Sequence, residues 1–212
     1  MKTADFILAA AVFLLGAWFC RLYLSGQGKS RARAAIKCAP TAGCFLLALY
    51  ALGSGGVNAL FQGLMCAGLL VCVFADWVIE FKLMPGAALF GCAHLCFIAA
   101  FALKCEGAAS WTCLILLAGA LTGLFLYAQK KGKSSLPAAP FAAYIALICL
   151  MAALAVKCGA LFGLGALLFV ASDTLLGLRL FGKISFPHSG TAVMVSYYLA
   201  LYLFALGSLA LR

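Results

Sequence analysis

The chain has 212 residues, of which 67% are hydrophobic and 9% are charged, and its formal net charge is +10. Soluble domains are nearer half apolar and a quarter charged, so this composition excludes a water-soluble fold and indicates a single polytopic membrane domain over residues 1–212. The basic residues stand in short loops without a basic, aromatic-lined face, which argues against nucleic acid and for contact with membrane lipids.

Eight apolar runs of about 18 to 22 residues predict an all-α fold with eight transmembrane helices, because each run is long enough to cross a bilayer core. The first run continues to Leu24 without a small-x-small cleavage site, which favours a retained helix over a signal peptide. The predicted helices cover residues 5–24, 34–52, 57–79, 86–103, 109–128, 138–156, 160–180 and 190–209.

The basic residues are distributed unevenly between the two sides of the membrane. The side reached by odd-numbered helices carries eleven Lys and Arg residues, and the opposite side carries four. Because cytoplasmic loops carry the excess of positive charge, we expect cytoplasmic odd-numbered loops, both termini outside, and the cell membrane as the location.

A weak internal repeat links the two halves of the sequence. A Lys-to-Pro stretch opens helix two at 37–40 and helix six at 133–140, and an aspartate lies near the end of helix three (Asp76) and of helix seven (Asp173). These spacings suggest two four-helix halves in the same orientation.

Several polar residues lie inside apolar helices, where ionisable groups are expensive and therefore indicate function. Asp76, His94, Asp173 and the adjacent Tyr197 and Tyr198 all lie roughly 5 to 12 Å below the cytoplasmic interface, counted from the predicted helix ends. Their shared depth predicts one polar chamber that opens towards the cytoplasmic leaflet. The two tyrosines are adjacent in sequence, so they cannot both face this chamber.

The acidic residues differ in the partners that the sequence offers them. Glu80 shares a helical face with Asp76 at i, i+4, although it is equally compatible with a solvated charge at a helix end. Asp173 has no charged neighbour on its own face, so we expect a partner from another helix.

Two aspartates, a histidine and a tyrosine are compatible with three kinds of site. They suit acid–base hydrolysis in a dry pocket, a metal site made of carboxylate and imidazole, or the proton relay of a transporter. The sequence contains no HExxH or HxxxH spacing, and most of its eleven cysteines lie in apolar runs where they behave as small hydrophobes. The residues alone leave the three alternatives open.

An ordered set of motifs resembles a known family. The matching positions are Lys37 and Pro40, then Asp76, then Gly86, Phe90 and His94, then Ser172 and Asp173, and finally Phe186, Pro187, Met194, Tyr197 and Tyr198. Over residues from about 35 to 205 this set resembles the lysoplasmalogenase (YhhN-like) family.

The resemblance implies an eight-helix hydrolase, without cofactor or metal, that cleaves the vinyl ether bond of lysoplasmalogens. The substrate is then a lysophospholipid, and the products are a fatty aldehyde and glycerophospho-ethanolamine or -choline. Asp76 and Asp173 would divide the acid and base roles, as paired carboxyls do in glycosidases. His94 would orient water or relay its proton, and Tyr197 or Tyr198 would hydrogen-bond the ether or hemiacetal oxygen.

Three further residues are expected to bind substrate, namely Lys37, Glu80 and Ser172. Lys37 would hold the phosphate, although it also fits an ordinary loop cation. Two positions depart from the family pattern, since Leu201 stands where a glutamine is common and Phe97 where a tyrosine often occurs. Both changes remove a polar group from the predicted chamber.

Two other functions remain as alternatives. A lipid-binding or transport protein on the same scaffold needs no hydrolysis, but transporters break helices in mid-membrane, and no Gly or Pro interruption lies near a predicted helix centre. A metal-dependent lipid hydrolase would use His94 with the two aspartates, and inhibition by a chelator would distinguish it. The sequence does not determine the oligomeric state.

Overall fold

The computed structural model describes residues 2–26, 28–55, 58–104, 110–132, 138–180 and 187–211, and within these ranges the chain forms eight α helices and no strand. The helices are α1 (Thr3–Ser25), α2 (Arg31–Gly53), α3 (Ala59–Phe81), α4 (Leu83–Lys104), α5 (Trp111–Gly132), α6 (Ala138–Ala155), α7 (Ala160–Leu180) and α8 (Ser189–Ala210). The all-α prediction is confirmed. The predicted starts of helices three and five, at 57 and 109, and the motif residue Phe186 lie outside the described residues.

Six of these helices are long and apolar enough to cross a membrane, namely α1, α2, α3, α4, α7 and α8. In the part of the chain that the structure describes, α5 and α6 carry shorter apolar stretches, at Trp111–Leu124 and Ala142–Ala155. The chain is therefore an integral multi-pass membrane protein, and among the described residues the candidate spans number six rather than a clear eight.

Helix α8 lies at the centre of the bundle and is the most buried of the six candidate spans, whereas α1 is the least buried. Helices α1, α2, α3 and α7 all pack against α8. On one side α3 lies between α2 and α4, and on the other α6 packs against α4, α5 and α7. This arrangement directs side chains of α2, α3 and α8 towards one another, and those of α4, α6 and α7 likewise.

Local sequence explains the helix ends that matter for the site. Ser30 caps α2 by accepting a hydrogen bond from the Arg33 amide at 3.1 Å, so α2 begins three residues before its predicted start. A single extended residue, Lys82, separates α3 from α4. This turn needs Gly86, because a Cβ there would lie 2.6 Å from the Ile79 Cα. Pro85 stands in the first turn of α4, where its missing N–H is tolerated.

Candidate active site

The first group of polar residues surrounds Asp76, which lies near the end of α3 and is 1% exposed. Its Oδ2 accepts hydrogen bonds from the Thr41 hydroxyl of α2 at 2.6 Å and from the Tyr197 hydroxyl of α8 at 2.9 Å. The Lys37 ammonium lies 4.0 Å from the other carboxylate oxygen. Three helices therefore hold this carboxyl group, because a buried acid needs partners to offset its desolvation.

One helical turn nearer the end of α3, Glu80 forms a charged group with residues of α1 and α2. The Tyr23 hydroxyl donates to Glu80 Oε2 at 2.9 Å, and Lys37 Nζ lies 3.9 Å from the same oxygen. Arg33 Nε lies 3.5 Å from Oε1, and the Arg33 guanidinium covers the Tyr23 ring at 4.2 Å. Glu80 is therefore a mostly buried, ion-paired residue, and Lys37 links it to Asp76.

The second aspartate, Asp173 of α7, lies in a separate group. The Tyr144 hydroxyl of α6 donates to Asp173 Oδ2 at 2.6 Å, and His94 Nε2 of α4 lies 3.3 Å from that oxygen. The other ring nitrogen of His94 lies 3.2 Å from the Met151 sulfur, and the imidazole is fully buried. The expected partners from other helices are therefore present, and the imidazole and the carboxylate form a dyad.

Aromatic rings connect the two groups. Phe169 of α7 is fully buried, with its ring centroid 4.6 Å from His94 and 5.5 Å from Tyr197. Phe90 lies 5.6 Å from the Tyr197 ring on the same side. The two carboxyl groups thus flank one apolar interior wall, rather than sharing a single hydrogen-bonded cluster.

The two aspartates are held in corresponding ways. Each receives one hydroxyl donor from the helix that precedes its own, Thr41 for Asp76 and Tyr144 for Asp173. Each also contacts a residue of a more distant helix, Tyr197 of α8 for the first and His94 of α4 for the second.

Two predicted site residues face elsewhere. The Tyr198 hydroxyl donates to the carbonyl oxygens of Val12 at 2.8 Å and Phe13 at 3.3 Å, so it fastens α8 to α1. Gly16 of α1 allows this contact, because a Cβ there would collide with the Tyr198 ring. The Ser172 hydroxyl donates to the Val193 carbonyl at 3.0 Å and links α7 to α8. The structure does not bring either side chain to an aspartate.

The two positions that depart from the family pattern lie in apolar packing. Phe97 is fully buried, with its ring centroid 5.0 Å from Phe204 and 6.4 Å from Phe169. Leu201 is also fully buried. Both side chains therefore belong to the buried apolar core.

Four partners of the acids were not predicted, namely Tyr23, Arg33, Thr41 and Tyr144. Thr41 and Tyr144 are hydroxyl residues inside apolar runs, which is a signal the sequence does carry. Helix packing decides which face of each helix meets the aspartates. The spacing of residues in the sequence does not reveal that face. Within the described ranges, no group of three or more His, Cys, Asp and Glu side chains is arranged to hold a metal ion.

Two Tyr-to-Phe substitutions distinguish a residue of the candidate active site from a residue that supports helix packing. We expect Tyr144→Phe to lower kcat for the reaction proposed below by about tenfold to a hundredfold, because it removes a hydrogen bond to a charged group. Tyr198→Phe is expected to leave kcat within about threefold and to lower the free energy of unfolding by about 1 kcal/mol. Equal kcat losses in the two variants would contradict the assignment of Tyr144 to the active site and of Tyr198 to helix packing.

Comparison with known proteins places these residues in a family. The sequence model of the YhhN family matches residues 32–208, a range that contains both aspartates. Human "Lysoplasmalogenase TMEM86B" is 30% identical over 207 residues, which cover 97% of this chain and 85% of that protein. "Lysoplasmalogenase TMEM86A" of Bos taurus is 27% identical over 225 residues, which cover 100% of this chain and 90% of that protein. No solved structure matches the chain significantly.

Proposed function

Because the chain belongs to the YhhN family, we propose that it is a membrane hydrolase that cleaves the vinyl ether bond of lysoplasmalogens. The products are a fatty aldehyde and glycerophospho-ethanolamine or -choline. The full-length similarity to proteins named lysoplasmalogenases supports the substrate class. The observation that carries the chemistry is the pair of aspartates held on either side of one aromatic wall.

The reaction requires one acid and one base. Protonation of the outer vinyl carbon gives an oxocarbenium ion, and water then adds to the carbon that bears the ether oxygen. The resulting hemiacetal breaks its bond to the glycerol oxygen. One proton thus ends on carbon, the water oxygen ends in the aldehyde, and the other proton ends on the released glycerol hydroxyl. Paired carboxyls perform the corresponding steps in glycosidases.

Asp76 is the proposed acid. It is the more enclosed of the two carboxyl groups, and its side chain is 1% exposed against 10% for Asp173. The Thr41 and Tyr197 hydroxyls hold Oδ2, and the proton to be transferred is proposed on Oδ1, the oxygen on the side of the Lys37 ammonium. Of the two tyrosines, Tyr197 is proposed to contact the substrate, because Tyr198 bonds to the α1 backbone. The Tyr197 hydroxyl would turn from Asp76 to donate to the ether oxygen.

Asp173 and His94 are the proposed base. A carboxylate paired with an imidazole orients the ring and stabilises its protonated form. The reacting water would take the place of the Met151 sulfur at Nδ1, the ring nitrogen that does not face Asp173. The Tyr144 hydroxyl donates to the same carboxylate oxygen, Oδ2, and lies 3.3 Å from His94 Nε2. The Phe169 ring, whose centroid lies 4.6 Å from that of His94, would stabilise a passing oxocarbenium ion through a cation–π contact.

Substrate binding is proposed at the end of α3 and around α8. Lys37 holds the phosphate, and Glu80 belongs to the same headgroup region because both contact each other beside Tyr23. Ser172 and Tyr198 support the walls through their backbone hydrogen bonds between helices.

The finer features of the fold are also proposals. We infer eight membrane crossings, cytoplasmic odd-numbered loops, both termini outside and residence in the cell membrane. The corresponding partners of Asp76 and Asp173 support two four-helix halves in the same orientation, since α2, α3 and α8 map onto α6, α7 and α4. The same correspondence pairs His94 of α4 with Tyr197 of α8. It also pairs Gly68 of α3 with Gly165 of α7, and at both glycines a Cβ would collide with a phenylalanine ring of a neighbouring helix.

A product assay tests the function. Purified protein in detergent is incubated with alkenyl, ester and saturated alkyl forms of lysophosphoethanolamine, and aldehyde and free fatty acid are measured, with and without a chelator. We expect aldehyde from the alkenyl lipid alone. Release of fatty acid from the ester would indicate a different hydrolase, and loss of aldehyde with the chelator would indicate a metal. No product from folded protein would favour lipid binding or transport.

A further inference from the structure

We propose that Arg33, Lys37, Glu80 and Tyr23 form a headgroup site that selects phosphoethanolamine over phosphocholine. The identity of the lipid rests on the proposed function, but the headgroup selection does not require hydrolysis. It assigns Arg33 and Tyr23 to the site and gives Glu80 a specific ligand, the primary ammonium group.

Arg33 carries the first part of the inference. Its Nε and Nη1 atoms are buried and make no hydrogen bond, although Nε lies 3.5 Å from Glu80 in an ion pair. Buried guanidinium nitrogens are costly to leave unsatisfied, so they indicate an absent acceptor. The planar guanidinium is also well suited to phosphate oxygens. The Tyr23 ring fixes its plane from below.

The location fits a lipid headgroup. The side chains of Arg33 and Lys37 are 19% and 13% exposed, so the group is enclosed but reachable from the membrane surface. Glu80 lies one turn nearer the helix end than Asp76, which places it about 6 Å closer to the interface. In a lysolipid the ether oxygen likewise lies deeper than the phosphate, and the glycerol carbons separate the two. A headgroup at Glu80 therefore directs the ether towards Asp76.

Charge complementarity selects the headgroup. In the structure Glu80 is the carboxylate that contacts both Arg33 and Lys37, so two cations share one anion. The headgroup phosphate supplies a second anion for these cations, and the ammonium group of ethanolamine then pairs with Glu80. Ethanolamine donates N–H hydrogen bonds to the carboxylate, whereas the trimethylated nitrogen of choline has no N–H.

Binding of uncleavable lipids tests the inference. Saturated 1-O-alkyl lysophosphoethanolamine and lysophosphocholine have no double bond to protonate, so their Kd values report binding alone. We expect the wild-type chain to bind the ethanolamine lipid about tenfold more tightly than the choline lipid. Glu80→Gln is expected to remove this preference. Arg33→Gln is expected to weaken both zwitterionic lipids about tenfold or more without changing their ratio.

Matched variants keep the result interpretable. Arg31→Gln removes an exposed cation two residues away on the same helix and is expected to change no Kd by more than about twofold. Arg33→Lys retains the charge. It replaces Arg33→Gln in the binding assay if Arg33→Gln lowers the helix content. A wild-type chain without headgroup preference, a Glu80→Gln variant that retains it, or Arg33 variants that bind as Arg31→Gln does would each overturn the inference.

The binding assay also separates this inference from the proposed reaction. The predicted pattern of Kd values without aldehyde release from the alkenyl lipid would support the headgroup site and remove the hydrolase. Aldehyde release with equal affinity for all headgroups would do the opposite.

Discussion

Asp76→Asn is expected to lower kcat for aldehyde release by about a thousandfold or more, within the range that a general acid contributes. The asparagine keeps the shape of the side chain and can still accept from the Thr41 and Tyr197 hydroxyls, but it cannot give a proton to carbon. The measurement is the initial rate of aldehyde formation from alkenyl lysophosphoethanolamine. The Kd of the saturated alkyl lipid is expected to change by less than about threefold, because the loss is one of chemistry.

A buried polar residue near the C-terminal end of α8 provides the control for this substitution. Ser208 is fully buried, and its hydroxyl makes no hydrogen bond, so Ser208→Ala is expected to retain wild-type kcat. Circular dichroism compares the helix content of both variants with that of the wild type. A correctly folded Asp76→Asn variant with kcat within tenfold of wild type would remove Asp76 from the mechanism.

Asp173→Asn is expected to lower kcat by about a hundredfold to a thousandfold, because it removes the charge that stabilises a protonated His94. Steady-state kinetics on the alkenyl lipid should show this loss in kcat, with KM nearly unchanged. The headgroup residues lie on α1, α2 and α3, away from this dyad. His94→Gln should cause a loss of similar size, and the double variant little more, since the two residues act as one unit.

Additive losses in the double variant would contradict the proposed base. Separate contributions would mean that Asp173 and His94 act in different steps, and the 3.3 Å contact between them would then have only a structural role. A large rise in KM with unchanged kcat would instead move Asp173 to substrate binding.

The sequence identified the ionisable residues because an acid or a histidine inside an apolar run is expensive wherever it lies. Asp76, His94 and Asp173 needed no structure to be recognised as candidates. Their partners Thr41 and Tyr144 were missed, because a hydroxyl group costs little in a membrane helix and is therefore a weak signal. Only the packing of α2 against α3 and of α6 against α7 reveals their role.

Helix packing also explains why the predicted single chamber differs from the observed site. Residue counts along each helix predict the depth of a polar residue in the membrane. Depth alone does not fix the direction in which its side chain points. Phe169 and Phe90 lie between positions of similar depth and divide the polar residues into two groups. Tyr197 and Tyr198 have the same depth but lie on different faces, so one meets Asp76 and the other meets α1.

The most direct test of vinyl ether protonation by this protein is the isotopic content of the aldehyde formed in D₂O. The reaction is run on alkenyl lysophosphoethanolamine and quenched with borohydride, which traps the aldehyde as an alcohol before further exchange. We predict one deuterium on the carbon next to the carbonyl carbon in every molecule formed, with one stereochemistry, because the enzyme delivers the proton from one side. Any hydrolysis of the vinyl ether to an aldehyde takes this hydrogen from solvent, so the stereochemistry is the decisive result. Deuterium at that carbon in equal amounts of both configurations would contradict proton delivery by the enzyme and the role proposed for Asp76.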